Sequence, residues 1–238
     1  MICFLTGRMD APDTGELNPA NGLLAELRRC LPKPCRALFI CSDPEAHEKT
    51  DLYSGLTRAF MERAGFSFRS FRCLDGRNER QAAALIGQSE LLILSGGHVP
   101  TQNRFFQKIG LRELLRLYGG VVVGISAGSM NSAALVYAQP EEDGEAVDSG
   151  YRKFLPGLGL TKTMLLPHYQ EVKDDVLDGL RLFEDITLPD SRGHTFYAIP
   201  DGSYLFIDGG REELRGEAYR IRDGRMARIT EDGESVIL

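Results

Sequence analysis

The sequence predicts an α/β protein with three layers, in which a mostly parallel central sheet is flanked by helices and followed by an antiparallel β appendage. Three observations predict this fold. Over the first two thirds of the 238 residues, short apolar runs alternate with stretches of helical periodicity, as in βαβ units. The runs are continuously apolar, which is typical of strands covered by helices on both faces. From Thr195 onward, β-like runs alternate with Asp-Gly pairs, which favour tight hairpin turns.

The helices and strands of the α/β part are predicted in order along the chain. Strands are predicted for five apolar runs: Ile2–Thr6, Arg36–Ser42, Phe66–Cys73, Leu91–Leu94 and Val121–Ile125. Helices are predicted for the stretches Pro19–Cys30, Thr50–Ala64, Glu79–Ile86 and Thr101–Tyr118, the last interrupted near Gly110. One face of the first helix carries Leu23, Leu24 and Leu27. Thr50 is a candidate cap of the second helix, in which four residues recur at helical spacing: Leu52, Leu56, Phe60 and Arg63.

The pattern changes after Ala138. The stretch Gln139–Gly150 is rich in acidic residues and glycine, which predicts an exposed, mobile loop. A last helix is predicted over Val172–Phe183. Hairpin turns are predicted at four Asp-Gly pairs: Asp201-Gly202, Asp208-Gly209, Asp223-Gly224 and Asp232-Gly233. Because there is no internal repeat and no low-complexity linker, residues 1–238 are expected to form a single domain.

Composition and charge exclude several classes of protein. Hydrophobic residues make up 42% of the chain and charged residues 26%, which excludes disordered and collagen-like chains. The net charge of -6 and the lack of a dense Lys/Arg block argue against nucleic acid as a partner. No apolar run is long enough to span a membrane, and the stretch Met1–Gly7 lacks the features of a signal peptide, so no membrane association is expected.

The five cysteines form neither a zinc site nor a disulfide framework. They are odd in number and lack the close pairing of metal ligands: Cys3, Cys30, Cys35, Cys41 and Cys73. Three of them lie in strand-like apolar runs, where a reduced, buried thiol is expected. The cytoplasm, a reducing compartment, is therefore the expected location.

The strongest functional signal follows the fifth predicted strand. The segment Gly124-Ile125-Ser126-Ala127-Gly128 joins this strand to a stretch that is compatible with a helix. Gly-x-Ser-x-Gly in that context is the pattern of a nucleophile elbow, in which the glycines let strand and helix approach closely and the serine occupies a strained turn. Ser126 would also lie near a helix N-terminus, which favours developing negative charge. The alternative is a Gly/Ser turn that only packs a helix on a sheet.

A serine nucleophile needs a base, and the chain has four histidines: His47, His98, His168 and His194. His168 follows the apolar run Met164–Pro167, so its imidazole can be held rigidly at the end of a buried strand. It is the candidate base, and a histidine that is simply part of the core is the alternative. His47 and His194 lie in polar stretches and are predicted to be solvated.

Two further groups would complete such a site. Ser95-Gly96-Gly97 follows another strand, and its N–H groups suit an oxyanion hole with Gly97 and Ala127 as the donor pair. His98 comes next and is the weaker candidate for the base. A carboxylate that orients the base has five candidates: Glu171, Asp174, Asp190, Asp201 and Asp208. Asp201 follows the apolar run Phe196–Pro200, although Asp-Gly is also an ordinary hairpin signal.

Together these motifs resemble the peptidase E family of serine peptidases, whose fold is related to the class I glutamine amidotransferases. Four segments carry the resemblance: Ser95–Gly97, Gly124–Gly128, Pro167–Tyr169 and Ile199–Gly202. The order of serine, histidine and acid along the chain agrees with the family and differs from the serine, acid, histidine order of α/β-hydrolases. The similarity extends from about Arg36 to Phe206.

The resemblance implies a serine hydrolase that cleaves small peptides through an acyl-enzyme. It assigns Ser126 as the nucleophile, His168 as the general base and acid, and Asp201 as the orienting carboxylate, with no metal or organic cofactor required. Two segments depart from the family pattern, because Asp201 replaces a glutamate and His98-Val99 replaces Asn-Thr. The shorter Asp201 side chain requires its strand to lie nearer to His168.

The substrate is less clearly indicated than the chemistry. Peptidase E prefers dipeptides with an N-terminal aspartate, and a site that recognises this carboxylate needs cations. The candidate cations for lining the pocket here are Arg104, Arg152 and Lys153, each of which is also typical of a surface charge. The acidic stretch Glu141–Asp148 would repel an acidic substrate if it closed over the site. Three alternatives stay open: a cyanophycinase-like hydrolase, an esterase or amidase, and a non-catalytic binding protein on an amidotransferase-like scaffold. The oligomeric state is not predicted.

Overall fold

The structure is a computed structural model that describes residues 1–11 and 15–238. Its strands in chain order are β1 (Ile2–Thr6), β2 (Cys35–Ile40), β3 (Phe68–Leu74), β4 (Leu91–Leu94), β5 (Val121–Ile125), β6 (Leu135–Tyr137), β7 (Phe154–Pro156), β8 (Met164–Leu166), β9 (Val176–Leu177), β10 (Leu180–Arg181), β11 (Thr195–Ala198), β12 (Tyr204–Asp208), β13 (Arg211–Arg215), β14 (Ala218–Arg222), β15 (Arg225–Thr230) and β16 (Ser235–Ile237). Its α-helices are α1 (Leu23–Cys30), α2 (His47–Arg63), α3 (Ala82–Gly87), α4 (Val99–Lys108), α5 (Leu111–Leu115), α6 (Ala127–Met130), α7 (Tyr169–Val172) and α8 (Leu188–Asp190).

The main sheet contains eight strands in the order β16-β13-β12-β1-β5-β4-β2-β3. The strands from β1 to β3 in this order are parallel, and β12, β13 and β16 continue the sheet beyond β1 in antiparallel pairing. A second sheet has the order β15-β14-β11-β8, in which β8 and β11 are parallel and the other pairs antiparallel. The predicted α/β fold with a mostly parallel central sheet flanked by helices is confirmed.

The core lies on both faces of the main sheet, because helices cover both. In β4, Leu92 and Leu94 pack with residues of α3, α4 and α5, whereas Leu91 and Ile93 pack on the opposite side. That second cluster includes the leucines predicted to share one face of α1: Leu23, Leu24 and Leu27. Every residue of β4 is fully buried, which explains why its sequence is continuously apolar. Within the described residues, no helix is both long enough and apolar enough to cross a membrane.

The second predicted helix differs from expectation in its start and in its buried face. α2 begins at His47, so Thr50 lies within the helix and is not its cap. Thr50 and Ser54 are buried against the sheet, where the Sγ atom of Cys73 donates to the Oγ atom of Ser54 at 2.7 Å. These small side chains let α2 pack closely, while two of its apolar residues with helical spacing, Leu52 and Leu56, are exposed.

The predicted helix over Val172–Phe183 is wrong. Helix α7 ends at Val172, and β9 and β10 form a short hairpin that is followed by a π-helical segment, Leu182–Thr187. Asp178 and Gly179 connect the two strands with φ angles of 52° and 81°. Positive φ at both central residues of a tight turn favours Asp-Gly, so this pair interrupts the helical periodicity.

Two of the four predicted Asp-Gly hairpins are confirmed, and two are wrong. Asp208-Gly209 leads from β12 to its neighbour β13, and Asp223-Gly224 joins β14 to β15. Asp201-Gly202 and Asp232-Gly233 instead connect strands that belong to different sheets. The antiparallel part is therefore divided: β12, β13 and β16 extend the main sheet, whereas β14 and β15 join β8 and β11.

Candidate active site

The candidate site lies at the carboxyl ends of strands from both sheets. Ser126 follows β5, Ser95–Gly97 follows β4, and Gly7 follows β1 in the main sheet. His168 and Asp201 follow β8 and β11, which are parallel neighbours in the second sheet. Because parallel strands end at the same edge of a sheet, His168 and Asp201 are brought side by side.

Ser126 lies on a sharp turn between β5 and α6, as the motif predicts. Its φ and ψ angles are 51° and -113°, a conformation that non-glycine residues rarely adopt. The N–H group of Ser126 donates to the carbonyl oxygen of Thr6 at 2.9 Å, and its own carbonyl accepts from the N–H groups of Ser129 and Met130. These bonds hold the strained residue between strand β1 and the first turn of α6.

Both glycines of the motif are required by close packing. A Cβ atom on Gly124 would lie 2.9 Å from the backbone nitrogen of Ser129, and one on Gly128 would lie 2.3 Å from the carbonyl oxygen of Leu94. Real Cβ atoms do not approach other atoms this closely, so α6 could not lie against β4 and β5 with larger residues at these positions. The reason proposed for both glycines from the sequence is therefore confirmed.

His168 and Asp201 are in direct contact. The Nδ1 atom of His168 lies 2.9 Å from the Oδ1 atom of Asp201, although the two groups are not aligned as a linear hydrogen bond. Like Ser126, His168 has a positive φ angle, 61°. The imidazole is 21% exposed and the carboxylate 7%, so the pair is shielded but reachable from solvent through the histidine.

Asp201 is held by three groups besides the imidazole contact. The backbone N–H of Arg8 donates to Oδ1 at 2.9 Å, and the side-chain amide of Gln170 donates to Oδ2 at 2.8 Å. The amide oxygen of Gln170 also accepts from the backbone N–H of Asp201 at 3.0 Å. Burial by itself would raise the pKa of Asp201, but the contact with His168, followed by the bonds from Gln170 and Arg8, holds the pKa below its usual range.

Ser126 and His168 both line two cavities. The larger cavity has a volume of about 720 Å³ and the smaller one about 260 Å³. The larger cavity includes Gly97 and the exposed side of α2, and the smaller one lies under the loop that contains Glu141. A substrate bond placed at Ser126 therefore has space on both sides.

The predicted oxyanion donors lie near this serine. A Cβ atom on Gly96 would be only 3.3 Å from the Cβ atom of Ser126, so the Ser95–Gly97 turn contacts the candidate nucleophile. Gly97 has a φ angle of 148° and packs against Ser42, which leaves no room for a side chain. Within the described residues, the N–H groups of Gly97 and Ala127 donate to no protein oxygen. Their role as an oxyanion hole stays a prediction.

The second candidate base, His98, is bonded through both ring nitrogens. Its Nδ1 atom lies 2.8 Å from the hydroxyl of Thr101, and its Nε2 atom lies 2.8 Å from the carboxylate of Glu145. Glu145 also accepts from the N–H groups of Glu141 and Glu142, and Glu141 accepts from the N–H of Val99. His98 therefore ties the acidic loop to the site, and neither of its ring nitrogens is free to act as the base.

None of the other candidate carboxylates from the sequence forms a contact with His168 like that of Asp201 among the described ion pairs. Glu171 lies 3.5 Å from the guanidinium of Arg8, and Asp190 accepts from Tyr137 and Lys153. Asp174 and Asp208 are exposed. His47 and His194, predicted to be solvated, are half-buried, and the ring of His194 stacks on Phe154. Three cations proposed for the pocket line neither cavity: Arg104, Arg152 and Lys153.

Two groups of side chains bring potential metal ligands within 4.8 Å of one another in the described part of the chain. One contains His98, Glu142 and Glu145, and the other contains His168, Glu171 and Asp201. The protein itself uses many of these atoms, since Glu145 accepts from His98 and two backbone N–H groups. Neither group is needed as a metal site by the chemistry that the sequence predicts.

Sequence reasoning missed Gly7 and Gln170. A Cβ atom on Gly7 would lie 2.3 Å from the Oδ1 atom of Asp201 and 3.3 Å from the Nδ1 atom of His168. Gly7 ends the first predicted strand, so its position at a strand end was the available signal. Nothing local marks Gln170, whose two bonds to Asp201 join residues that are 31 positions apart.

Comparisons with known proteins show the family of this chain. Residues 3–215 match the sequence model of peptidase family S51, so the chain belongs to this family and is a serine peptidase, a hydrolase. A peptidase from an acI-B1 Actinobacterium is similar in crystal structure, with a TM-score of 0.64 and 18% identity over 100% of this chain and 96% of that chain. The crystal structure of a putative peptidase E protein from Listeria monocytogenes EGD-e is also similar, with a TM-score of 0.58 and 18% identity over 96% of this chain and 98% of that chain. No curated protein matches the chain.

Replacing Gly128 tests the packing of the elbow. We expect Gly128→Ala to lower the free energy of unfolding by about 1–3 kcal/mol, the usual cost of overpacking, because its methyl group would overlap the Leu94 carbonyl. Urea denaturation measures this change. The control is Gly55→Ala in exposed α2, where the methyl group meets no atom within 4 Å and stability should be unchanged or higher. Equal stability of the two variants would contradict the packing described.

Replacing Gly7 tests how Asp201 is positioned. We expect Gly7→Ala to displace the carboxylate from His168 and to slow labelling of the protein by a fluorophosphonate about tenfold to a hundredfold, as small misplacements of catalytic groups do. Circular dichroism shows whether the variant is folded. Gly119→Ala, with no atom within 4 Å of its methyl group, is the matched control and should label at the wild-type rate. Unchanged labelling of a folded Gly7→Ala variant would show that Gly7 does not position the acid.

Proposed function

We propose that this serine peptidase cleaves small peptides through a Ser126-His168-Asp201 triad and an acyl-enzyme. One observation carries the proposal: the strained Ser126 and the Asp201-bound His168 line the same two cavities. The strain at Ser126 favours catalysis over a turn that only packs a helix, because positive φ at a non-glycine residue is costly and concentrates at functional sites. The same feature argues against the non-catalytic alternative.

The reaction begins when the Oγ atom of Ser126 attacks the scissile carbonyl carbon and Nε2 of His168 takes the hydroxyl proton. The negative charge on the carbonyl oxygen is stabilised by the N–H groups of Gly97 and Ala127, where the loss of one donor typically costs about 3–4 kcal/mol. Asp201 stabilises the imidazolium through Nδ1 and fixes its orientation. His168 then gives the proton to the leaving amine as the C–N bond breaks.

The second half of the reaction releases the acyl group. Water attacks the acyl carbon while His168 takes one of its protons, and the oxyanion donors again hold the carbonyl oxygen. When the C–O bond to Ser126 breaks, the proton returns to Oγ and a carboxylic acid leaves. No step requires a redox change or a further reactant besides water.

A small substrate fits the size of the site. The larger cavity, about 720 Å³, lies within the range of roughly 300–1,000 Å³ that is usual for small-molecule sites. A cyanophycinase-like activity would be supported by a groove lined with arginine, but Arg8 is the only arginine among the described residues that line the cavities. Small peptides are therefore favoured over a cyanophycin-like polymer as the substrate. An assay that compares ester with dipeptide substrates distinguishes a peptidase from an esterase.

The chain is proposed to act as one α/β unit, because strands from its first and last parts pair within the same sheet. The cytoplasm stays the proposed location on the sequence argument from its cysteines. Small peptides are the proposed partners, and neither nucleic acid nor a membrane is expected to bind.

Covalent labelling tests the nucleophile. We expect Ser126→Ala to abolish both peptide hydrolysis and labelling by a fluorophosphonate, because the attacking oxygen is lost while the fold is kept. Mass spectrometry of the labelled wild type should place the adduct on Ser126. Ser149→Ala, in the exposed acidic loop, is the control and should label normally. Labelling that persists in Ser126→Ala would place the nucleophile elsewhere.

The pH dependence tests the base and the acid together. The pKa of Asp201 is held below its usual range, so its carboxylate stays charged near neutrality and its contribution to stability is lost only at strongly acidic pH. Activity is expected to fall as the pH is lowered, without unfolding, because a general base must be unprotonated to accept the serine proton. In Asp201→Asn the rate should fall on the order of a hundredfold or more. Rates that do not change as the pH is lowered would contradict a histidine as the base.

A further inference from the structure

Helix α2 exposes apolar residues and buries small polar ones. Leu52, Tyr53 and Leu56 are 58%, 57% and 40% exposed, whereas Thr50 and Ser54 are buried. Exposing apolar surface to water is unfavourable, and clustered apolar side chains at a surface mark binding sites. Leu52, Tyr53 and Leu56 therefore do not serve the core, in contrast to Met61, which is fully buried in it, and Phe60, which packs against it.

Part of this apolar surface forms a wall of the larger cavity. Tyr53, Leu56 and Phe60 line it together with Ser126 and lie at helical positions i, i+3 and i+7, so they share one face of α2. Other apolar residues that line the cavity are almost completely buried: Met9, Leu17, Phe39 and Cys41. A side chain that enters this region from the candidate nucleophile would meet the apolar face of α2.

The charges around the same cavity do not favour an acidic side chain. Among the described residues, its lining contains three carboxylates and two basic side chains: Asp10, Asp43, Glu142, Arg8 and Lys49. The guanidinium of Arg8 already lies 3.5 Å from Glu171. Lys49 precedes Tyr53 by one helical turn and is the remaining group that could attract a carboxylate. The net charge of the cavity lining is therefore not positive, so it does not attract an acidic substrate side chain.

We propose that the larger cavity selects small peptides by an apolar side chain, of the size of leucine or phenylalanine, that packs on Tyr53, Leu56 and Phe60. The proposal rests on the proposed function, since it assigns a substrate class to the same site. Selection arises because burial of the substrate side chain also removes the exposed wall of α2 from water. An aspartate side chain would lose hydration there and gain no matched pair of cations.

A substrate matrix with matched variants tests this assignment. Hydrolysis of Leu-Ala, Phe-Ala, Ala-Leu and Ala-Phe is compared with that of Asp-Ala and Ala-Asp in the wild type and in Leu56→Arg, Lys49→Met and Leu52→Arg. Leu52 is exposed on the same helix but lines neither cavity, so Leu52→Arg controls for adding a charge to α2. We expect at least one apolar dipeptide to be the best substrate, and Leu56→Arg to lower its kcat/KM about tenfold to a hundredfold, the usual effect of a changed apolar contact. Leu52→Arg should leave that value within about twofold, and Lys49→Met shows whether any hydrolysis of the Asp-containing dipeptides depends on Lys49.

Calorimetry with the Ser126→Ala variant separates binding from catalysis. If the wild type hydrolyses no peptide and Ser126 is not labelled, the proposed function fails, but tighter binding of Leu- or Phe-containing dipeptides than of Asp-containing ones would still support the apolar cavity. If aspartyl dipeptides are hydrolysed fastest and this activity is lost in Lys49→Met, the function stands and the apolar selection is overturned. Light scattering tests the other occupant of this surface: a dimer that Leu56→Arg converts to a monomer would show that a second copy covers α2, which also overturns the proposal.

Discussion

The whole site depends on backbone segments that approach one another more closely than side chains would allow. Gly128 lets the short helix after Ser126 pack on the carbonyl group of Leu94. Gly124 lets the backbone of the same helix, at Ser129, pack on strand β5. Gly7 leaves space for the carboxylate of Asp201. Because these positions lie near the carboxyl ends of strands, the missing side chains leave room for the turn at Ser126 and for the contact between His168 and Asp201.

The side chain of Asp201 is short, yet its carboxylate contacts the imidazole of His168. The family resemblance places a glutamate here, and aspartate reaches one methylene less far. The structure brings the strand end close enough for a 2.9 Å contact with His168, and Arg8 and Gln170 hold the carboxylate in place. The same bonds keep its pKa low, so that a charged acid faces the imidazole over the pH range in which a histidine works as a base.

Helix α2 shows that hydrophobic periodicity has more than one cause. A helix that packs on a sheet usually turns its large apolar residues inward, but α2 turns Thr50 and Ser54 inward beside Met61 and leaves Tyr53 and Leu56 outside. Small side chains allow the helix to lie close to the sheet, and the outward apolar face lines the cavity beside Ser126. Within the pattern that predicted this helix, Leu56 and Phe60 line the cavity and Phe60 also packs on the core.

The sequence by itself determined the strands of the parallel sheet, the turn at Ser126 and the choice of His168 among four histidines, because each depends on residues that are close together in the chain. Local patterns gave wrong predictions at two kinds of place. The Asp178-Gly179 turn interrupts a stretch with helical periodicity, and two Asp-Gly pairs connect strands of different sheets and form no hairpin. The family resemblance had already assigned Asp201 among five carboxylates, and the tertiary structure added its contact with His168 and the positions of Gly7 and Gln170 beside it. The hydrogen bond from Arg8 to Asp201 joins residues 193 positions apart, and it forms only when the two sheets pack together, because β1 and β11 belong to different sheets.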